Sequence, residues 1–195
     1  MDLTAIPHRL NEATGLVRAV IEVPSGTRCK YSYDPETEAF EFDQLLPEGM
    51  TWPLEFGFIP ATLGDDGDPL DIMVLSDEPL PVGAIASVRL IGVLEAVQTE
   101  HGESLRNDRL LAVTEETHRY AGVKTVEDLG PKFLEHLTRF WVAYNDLRGR
   151  RFEAQGVRSA EEAMALIRRQ PGGGPFAQAE SAPKPSEGPD RGATH

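Results

Sequence analysis

The sequence has 195 residues, of which 40% are hydrophobic and 26% are charged, a composition typical of a globular chain of one domain or slightly more. Its formal net charge is −13, and the whole excess lies in residues 31–88, which contain 13 Asp and Glu residues but no Lys, Arg or His. This distribution argues against binding to a nucleic-acid backbone or to an anionic membrane surface, because both need clustered basic side chains.

The chain has a single cysteine, Cys29, so an internal disulfide is excluded and a reducing compartment is favoured. Residues 1–14 lack the apolar segment of a secretory signal. No run approaches the roughly 20 apolar residues of a membrane-spanning helix. We therefore expect a cytoplasmic protein.

Strands dominate the first two-thirds of the chain. Short runs rich in β-branched and apolar residues predict strands at 16–23, 29–33, 39–42, 71–75, 84–97 and 109–114. The dipeptide Asp34-Pro35 marks a turn between the second and third runs, and Gly92 indicates a bend or bulge in the long fifth run.

Helical patterns follow the strands. Pro131 suits the first turn of a helix in which large apolar residues recur at helical spacing up to Tyr144. Residues 151–156 are consistent with one more strand, and Ser159-x-x-Glu162 is a capping box before a last helix, roughly 160–169. Five or six short strands before two helices predict an α+β fold, with a small, partly closed β-barrel flanked by C-terminal helices.

The chain divides into three parts by composition. We expect an N-terminal extension at residues 1–15, a folded domain at 16–170 and a disordered tail at 171–195. Ten of the 25 tail residues are Gly or Pro, and Phe176 is its one large apolar residue. Such a segment buries too little surface to offset the entropy of ordering it.

The most informative local feature is an acidic loop, Asp65-Asp66-Gly67-Asp68-Pro69-Leu70-Asp71, which leads into an apolar strand. Four carboxylates in seven residues repel one another, and their pKa values rise unless a cation neutralises them. Hard divalent cations take such oxygen ligands, and Mg²⁺ is usually shared with substrate phosphates. The competing interpretation is a solvated acidic turn, in which Asp and Gly are common.

The segment 66–71 resembles the D-x-D-P-x-D signature of the family I soluble inorganic pyrophosphatases. Six further blocks resemble the family's motifs in the same order, at residues 20–24, 30–31, 52–59, 92–94, 109–113 and 144–147. The resemblance extends over about residues 16–170. It implies the family's small OB-like barrel and the hydrolysis of inorganic diphosphate to two phosphates by a metal-activated water.

The resemblance also implies roles for individual residues. Asp68 corresponds to the catalytic carboxylate that orients or deprotonates the water. Metal ligands are expected at Glu22, Asp66 and Asp71. In the second acidic segment, where the family's ligand is replaced, Asp108 is the expected substitute, with Glu100 and Glu103 as alternatives. Substrate contacts are expected at Lys30, Arg109 and Tyr144. The implied cofactor is Mg²⁺, with Mn²⁺ as a second candidate, and the implied partners are pyrophosphate or another small phosphoanhydride and further copies of the chain in a homo-oligomer.

Several positions depart from the family pattern. In the family, Glu is found at the position of Ser32, Arg at that of Gln44 and Tyr at that of Phe56. A metal-binding Asp is found at the position of Asn107 and Lys at that of Asn145, and a further acid is expected near Gln98. Four arginines are candidates to restore the lost positive charge: Arg28, Arg106, Arg119 and Arg148. The alternative hypothesis is therefore a weak or inactive pyrophosphatase-like protein that binds metal, a phosphate ligand or a protein partner.

Overall fold

The computed structural model describes residues 1–169, which form nine strands, two α-helices and two short 3₁₀ helices, Leu3–Ala5 and Val126–Leu129. The first five strands are β1 (Leu16–Val23), β2 (Cys29–Asp34), β3 (Ala39–Leu45), β4 (Glu55–Phe58) and β5 (Asp71–Leu75). The other strands are β6 (Ile85–Glu100), β7 (Glu103–Arg106), β8 (Arg109–Thr114) and β9 (Arg151–Ser159). The helices are α1 (Pro131–Asp146) and α2 (Ala160–Arg168).

Five of the strands close into a ring. Strand β1 pairs with β4, β4 with β5, β5 with β8, β8 with β6, and β6 returns to β1. The β5–β8 pair is parallel and the others are antiparallel. Strands β7 and β9 extend this sheet from β6, whereas β2 and β3 form a separate hairpin. The closed ring and the later helices confirm the α+β, OB-like expectation.

Strand β6 takes part in four pairings because it is 16 residues long and bends. Its register with β8 shifts between Leu90 and Gly92, as the sequence predicts. A Cβ atom at Gly92 would lie 2.5 Å from the carbonyl oxygen of Arg158 on β9. The bend therefore needs glycine for close backbone approach.

The apolar side chains form two buried clusters on opposite faces of the strands. On β5, Ile72 and Val74 contribute to one cluster, with Ile167 of α2. Met73 and Leu75 contribute to the other cluster, with Trp141 of α1. Both faces of β5 are buried, which explains why its sequence is a continuous apolar run rather than an alternation.

Most predicted elements are confirmed, several residue for residue. Strands β1, β5 and β8 have the predicted bounds, α1 begins at Pro131, and the Ser159–Glu162 capping box precedes α2. The predicted strand count was too low, because β4 and β7 were missed and the ring alone uses five strands. Strand β4 is short and starts at Glu55, a buried carboxylate that accepts hydrogen bonds from Ser25 and Ser76.

Residues 1–15 lie against the barrel. The carbonyl oxygen of Thr4 accepts a hydrogen bond from the amide of Ala61 at 2.6 Å, and that of His8 from the amide of Arg18 at 2.7 Å. The predicted tail at 171–195 lies outside the described residues. No helix in residues 1–169 is long and apolar enough to cross a membrane.

Candidate active site

One cleft of about 780 Å³ gathers most of the residues that the sequence predicts to be functional. Seven of the eight predicted site residues line it: Glu22, Lys30, Asp66, Asp68, Asp71, Arg109 and Tyr144. They come from strands β1, β2, β5 and β8, from the loop before β5 and from the last turn of α1. Residues separated by more than a hundred positions in the sequence therefore form a single site.

The acidic loop is held in place by its own backbone and by the base of β5. Asp71 begins β5 opposite Arg109, which begins the parallel strand β8. The amide of Gly64 donates to the carbonyl oxygen of Asp68 at 2.6 Å, and the amide of Asp68 donates to Asp66 Oδ1 at 3.2 Å. Gly67 has a φ of +92°, a conformation that favours glycine at this tight turn.

Three acids of the cleft, Glu22, Asp66 and Asp71, have raised pKa values. Burial raises the pKa of Glu22 to about 7, even though its Oε1 accepts a hydrogen bond from the Tyr33 amide at 2.7 Å. Burial also raises the pKa of Asp71 to about 6, and the nearby Arg109 opposes this rise. The pKa of Asp66 is raised by burial and, to a lesser extent, by the charge of Asp68. The loop is therefore not a fully solvated acidic turn.

The chemistry of these carboxylates suits the binding of a divalent cation. Their pKa values are raised mainly because burial disfavours the charged form, and a bound cation would stabilise that form. In the described part of the chain, no three acidic, His or Cys side chains are close enough together to hold a metal by themselves. A metal held by these acids would share its coordination with water or with oxygens of a bound ligand.

Arg109 lies behind the acidic wall of the cleft. Only 3% of it is exposed, and its guanidinium carbon lies 4.1 Å from the ring centre of Trp141 and 4.9 Å from that of Phe152. Its Nη1 donates to the carbonyl oxygen of Asn107 at 2.6 Å, and its Nη2 lies 3.7 Å from Asp71 Oδ2. Arg109 therefore contacts Asp71 and the segment that precedes β8, and because it also lines the cleft, its role as a substrate contact stays a prediction.

Lys30 belongs to a second part of the cleft lining, the wall formed by strands β2 and β3. Its Nζ donates to Ser32 Oγ at 2.6 Å and to Asp43 Oδ2 at 3.0 Å, and 16% of its side chain is exposed. Hydrogen bonds from Lys30 and Arg148 lower the pKa of Asp43 against the opposing effect of burial. This contact of Asp43 could not be predicted from the sequence pattern, because only the pairing of β2 with β3 brings Asp43 to Lys30.

Arg148 joins this wall from the loop between α1 and β9. Its Nη1 lies 3.1 Å from the Tyr144 hydroxyl oxygen, 3.1 Å from Gln44 Oε1 and 3.0 Å from Asp43 Oδ2. Arg150, which the sequence interpretation did not single out, also lines the cleft and pairs with Glu100 at 2.7 Å. Both arginines closely follow the motif block at residues 144–147, at the end of α1. Their position beside this block is the sequence feature that could have indicated a role in the site.

Asp108 is the one predicted ligand that the structure does not bring to this cleft. Its Oδ2 accepts a hydrogen bond from Arg106 Nε at 2.6 Å, and its Oδ1 accepts one from the Ala96 amide at 3.1 Å. Its neighbour Asn107 does reach the acids, because its Nδ2 donates to Asp66 Oδ2 at 2.9 Å. The geometry favours Asn107 over Asp108 as the residue next to the acidic loop.

The substituted positions have different environments. Ser32, Phe56 and Gln98 line the cleft, and Phe56 stacks on Trp52 with ring centres 5.3 Å apart. Asn145 is 1% exposed, and its Nδ2 donates to the carbonyl oxygen of Trp141 within α1 at 2.9 Å. Positions 56 and 145 therefore contribute packing rather than polar contacts to a ligand.

Known proteins resemble this chain in sequence and in structure. A family model described as inorganic pyrophosphatase matches residues 19–171. An inorganic pyrophosphatase from Nostoc sp. is 36% identical over 167 residues, which cover 86% of this chain and 95% of that protein. The crystal structure of inorganic pyrophosphatase from Thermus thermophilus has a TM-score of 0.78 and 32% identity, and the match covers 86% of this chain and 95% of that one. A second structure, from Neisseria gonorrhoeae, has a TM-score of 0.78 at 27% identity and covers 87% and 96% of the two chains.

Proposed function

The chain belongs to the inorganic pyrophosphatase family and hydrolyses inorganic diphosphate, and from this premise we propose how its own residues act. We propose that Glu22, Asp66 and Asp71 hold Mg²⁺ and that Lys30 and Tyr144 bind the phosphate groups. The observation that carries the assignment is the single cleft, in which raised-pKa acids on one wall face basic and phenolic groups on the other.

Bound Mg²⁺ would supply a Lewis acid that lowers the pKa of water and neutralises phosphate oxygens. Asp68 is suited to accept the proton of the attacking water, because its carboxylate accepts no hydrogen bond from any residue in 1–169. Lys30 Nζ and the Tyr144 hydroxyl are donors for the oxygens on which charge accumulates. Arg109 keeps Asp71 in place from behind.

The proposal also covers the identity of the metal, the oligomeric state and the location in the cell. Mg²⁺, with Mn²⁺ as substitute, suits carboxylates that share the ion with a phosphate substrate. A homo-oligomer would cover large apolar side chains that are exposed in one copy, among them Phe42, Leu45, Leu105 and Leu147. A cytoplasmic location agrees with the single cysteine. Asp108 is the second candidate as metal ligand, because its carboxylate already accepts hydrogen bonds from Arg106 Nε and the Ala96 amide.

The test is phosphate release from pyrophosphate with Mg²⁺, with Mn²⁺ and with neither metal. We expect metal-dependent hydrolysis that falls about 10²–10⁴-fold in Asp68→Asn, because this substitution removes the proton acceptor and keeps the size of the side chain. Asp65→Asn is the matched control in the same loop and should retain activity. A folded wild-type protein that releases no phosphate above background with either metal would refute the proposal.

The alternative, a weak or inactive pyrophosphatase-like binding protein, is not favoured. Relatives that match most of the chain carry the name inorganic pyrophosphatase. The substitutions at Gln44 and Asn145 motivated the alternative, and both positions lie close to Arg148 in the fold, since Gln44 Oε1 accepts from its guanidinium and the Asn145 carbonyl from its amide. Restoring family residues in Gln44→Arg and Asn145→Lys would produce a large gain only from an inactive wild type.

A further inference from the structure

The phosphate-facing wall of the cleft has lost cations at two positions. Gln44 is neutral, and Asn145 is buried in the hydrogen bonding of its own helix. Lys30 remains, but its ion-pair partner Asp43 also accepts a hydrogen bond from Arg148. A diphosphate needs charge-assisted donors on its terminal oxygens, so a replacement cation is to be expected on this wall.

Three of the four candidate arginines are committed elsewhere. Arg28 donates to the carbonyl oxygen of Leu46 through Nε and Nη2, at 3.0 and 2.8 Å, and to Glu48. Arg106 binds Asp108 and Glu95. Arg119 lies over the ring of Tyr120, with its guanidinium carbon 5.9 Å from the ring centre. None of the three lines the cleft.

The fourth arginine, Arg148, lines the cleft and is held in place there. Its amide donates to the carbonyl oxygen of Asn145 at 2.9 Å, and the following Gly149 has a φ of +70° that turns the chain back toward the barrel. Its Nη1 is placed by Tyr144, Gln44 and Asp43. The side chain is 23% exposed, and its Nε and Nη2 donate to no residue that the structure describes.

The charges of this group leave room for an anion. Lys30 and Arg148 carry two positive charges, and the carboxylate that both contact, Asp43, carries one negative charge. Within this group of three, one unit of positive charge is uncompensated beside the hydroxyl of Tyr144. Because the charge of Lys30 also acts on Glu22 and Asp71, the donor left for an anion is the guanidinium of Arg148. Arginine also presents several donors in a planar fork that matches phosphate oxygens.

We infer that Arg148 binds a terminal phosphate of the diphosphate together with Lys30 and Tyr144, and so replaces the cations absent at positions 44 and 145. The inference rests on the proposed function, because it requires the diphosphate to lie in this cleft. Gln44 and Asp43 act as positioning residues, since they contact the guanidinium and orient it. The cationic donor thus comes from the loop after α1 instead of from strand β3.

The test measures binding and turnover separately. Methylenediphosphonate, a diphosphate analogue that is not hydrolysed, is titrated by calorimetry in the presence of Mg²⁺, and pyrophosphate hydrolysis is followed in parallel. We expect Arg148→Ala to weaken analogue binding and raise KM about 10- to 100-fold, the loss expected for one charge-assisted contact. Mg²⁺ binding without the analogue should change by less than about twofold, because Arg148 lies on the other wall. Arg148→Lys should fall between wild type and Arg148→Ala.

Two further variants separate binding from a structural role. Gln44→Arg in the Arg148→Ala background should recover much of the analogue affinity, since position 44 contacts the same guanidinium site. Arg139→Ala, at an exposed position of α1 paired with Glu135, is the matched control and should bind like wild type. Unchanged analogue affinity in Arg148→Ala would overturn the inference. A loss of analogue affinity matched by an equal loss of Mg²⁺ affinity would also overturn it, and so would a loss of analogue affinity that Gln44→Arg does not reverse. A wild type that shows Arg148-dependent analogue binding without phosphate release would refute the proposed function alone.

Discussion

Glu22 combines a raised pKa with a hydrogen bond that does not depend on its charge. Its Oε1 accepts from the Tyr33 amide, and an amide oxygen at the same place would accept equally well. Burial raises its folded-state pKa to about 7 from an ordinary value of 4.5. The folded protein therefore holds this proton more tightly than the unfolded chain does, and Glu22 lowers the stability of the metal-free protein as pH rises from about 4.5 to about 7.

We predict that Glu22→Gln stabilises the metal-free protein at pH 8 by roughly 1–3 kcal/mol, because each unit of pKa shift corresponds to about 1.4 kcal/mol. The gain should shrink below pH 7 and vanish below pH 4.5, where wild-type Glu22 is protonated in both states. Thermal unfolding in EDTA at several pH values measures it. Glu36→Gln, at an exposed turn position, is the control and should show no such gain. A stabilisation of equal size at all pH values would contradict the assignment.

The same substitution should weaken the function that the acid serves. If Glu22 contributes to the Mg²⁺ site, Glu22→Gln raises the Mg²⁺ concentration needed for half-maximal phosphate release. Metal binding requires deprotonated carboxylates, so wild-type Mg²⁺ affinity should rise with pH between about 6 and 8, while the variant responds less. A gain in stability with a loss of metal affinity is the expected signature of a functional buried acid.

Among the elements, the pairing of β1 with β4 depends on Gly57. A Cβ atom at this position would lie 1.9 Å from the carbonyl oxygen of Val20 and 3.0 Å from the Cα atom of Ile21. Both contacts are backbone atoms, so no side-chain rotation relieves them. The two strands would have to separate, and β1 carries Glu22.

We predict that Gly57→Ala destabilises the protein by more than about 3 kcal/mol, a loss in the range of strained backbone and core changes. Denaturant unfolding measures the change. Gly122→Ala is the control, because a Cβ atom there meets nothing within 4 Å, and its effect should be small. Equal stabilities for the two variants would show that the β1–β4 pair separates without cost.

The elements were predictable where a segment's own pattern decides its structure. Strands β1, β5 and β8 are short segments rich in Val, Leu, Ile and Ala, and α2 has both hydrogen bonds of its capping box. Strand β4 was missed because its pairing with β1 and β5 depends on contacts distant in sequence. The site followed the same division: the acidic loop could be recognised from its spacing, whereas Asp43 and Arg150 reach the cleft only through tertiary packing.

At the scale of the whole molecule, several acids of residues 31–88, the stretch without Lys, Arg or His, contact groups from other parts of the chain. Asp43 binds Lys30 and Arg148, and Asp71 lies near Arg109. Asp77 accepts hydrogen bonds from residues 117–119. Some acids of this stretch thus form ion pairs across the fold, whereas Asp66 and Asp68 lie in the cleft and face no cation at ion-pair distance among residues 1–169.

This imbalance makes the stability of the whole protein depend on divalent cations. We predict that Mg²⁺ at about 100 times its dissociation constant stabilises the fold by about 2.7 kcal/mol, because it binds the folded cleft and not the unfolded chain. For a chain of this size the melting temperature should rise by about 5–10 °C. Differential scanning fluorimetry with and without Mg²⁺ measures the shift, with NaCl at equal ionic strength to separate site binding from screening.

A variant pair locates the effect in the cleft. Asp71→Asn should lose most of the Mg²⁺-induced shift, whereas Glu116→Gln, at an exposed position after β8, should keep it. Asp71→Asn should also raise the melting temperature of the metal-free protein at pH 8, because burial raises the pKa of Asp71 to about 6 and its charge is costly above that pH. If NaCl reproduces the Mg²⁺ shift, or if Asp71→Asn retains it, the acids of the cleft do not bind the ion and the −13 charge acts only through screening.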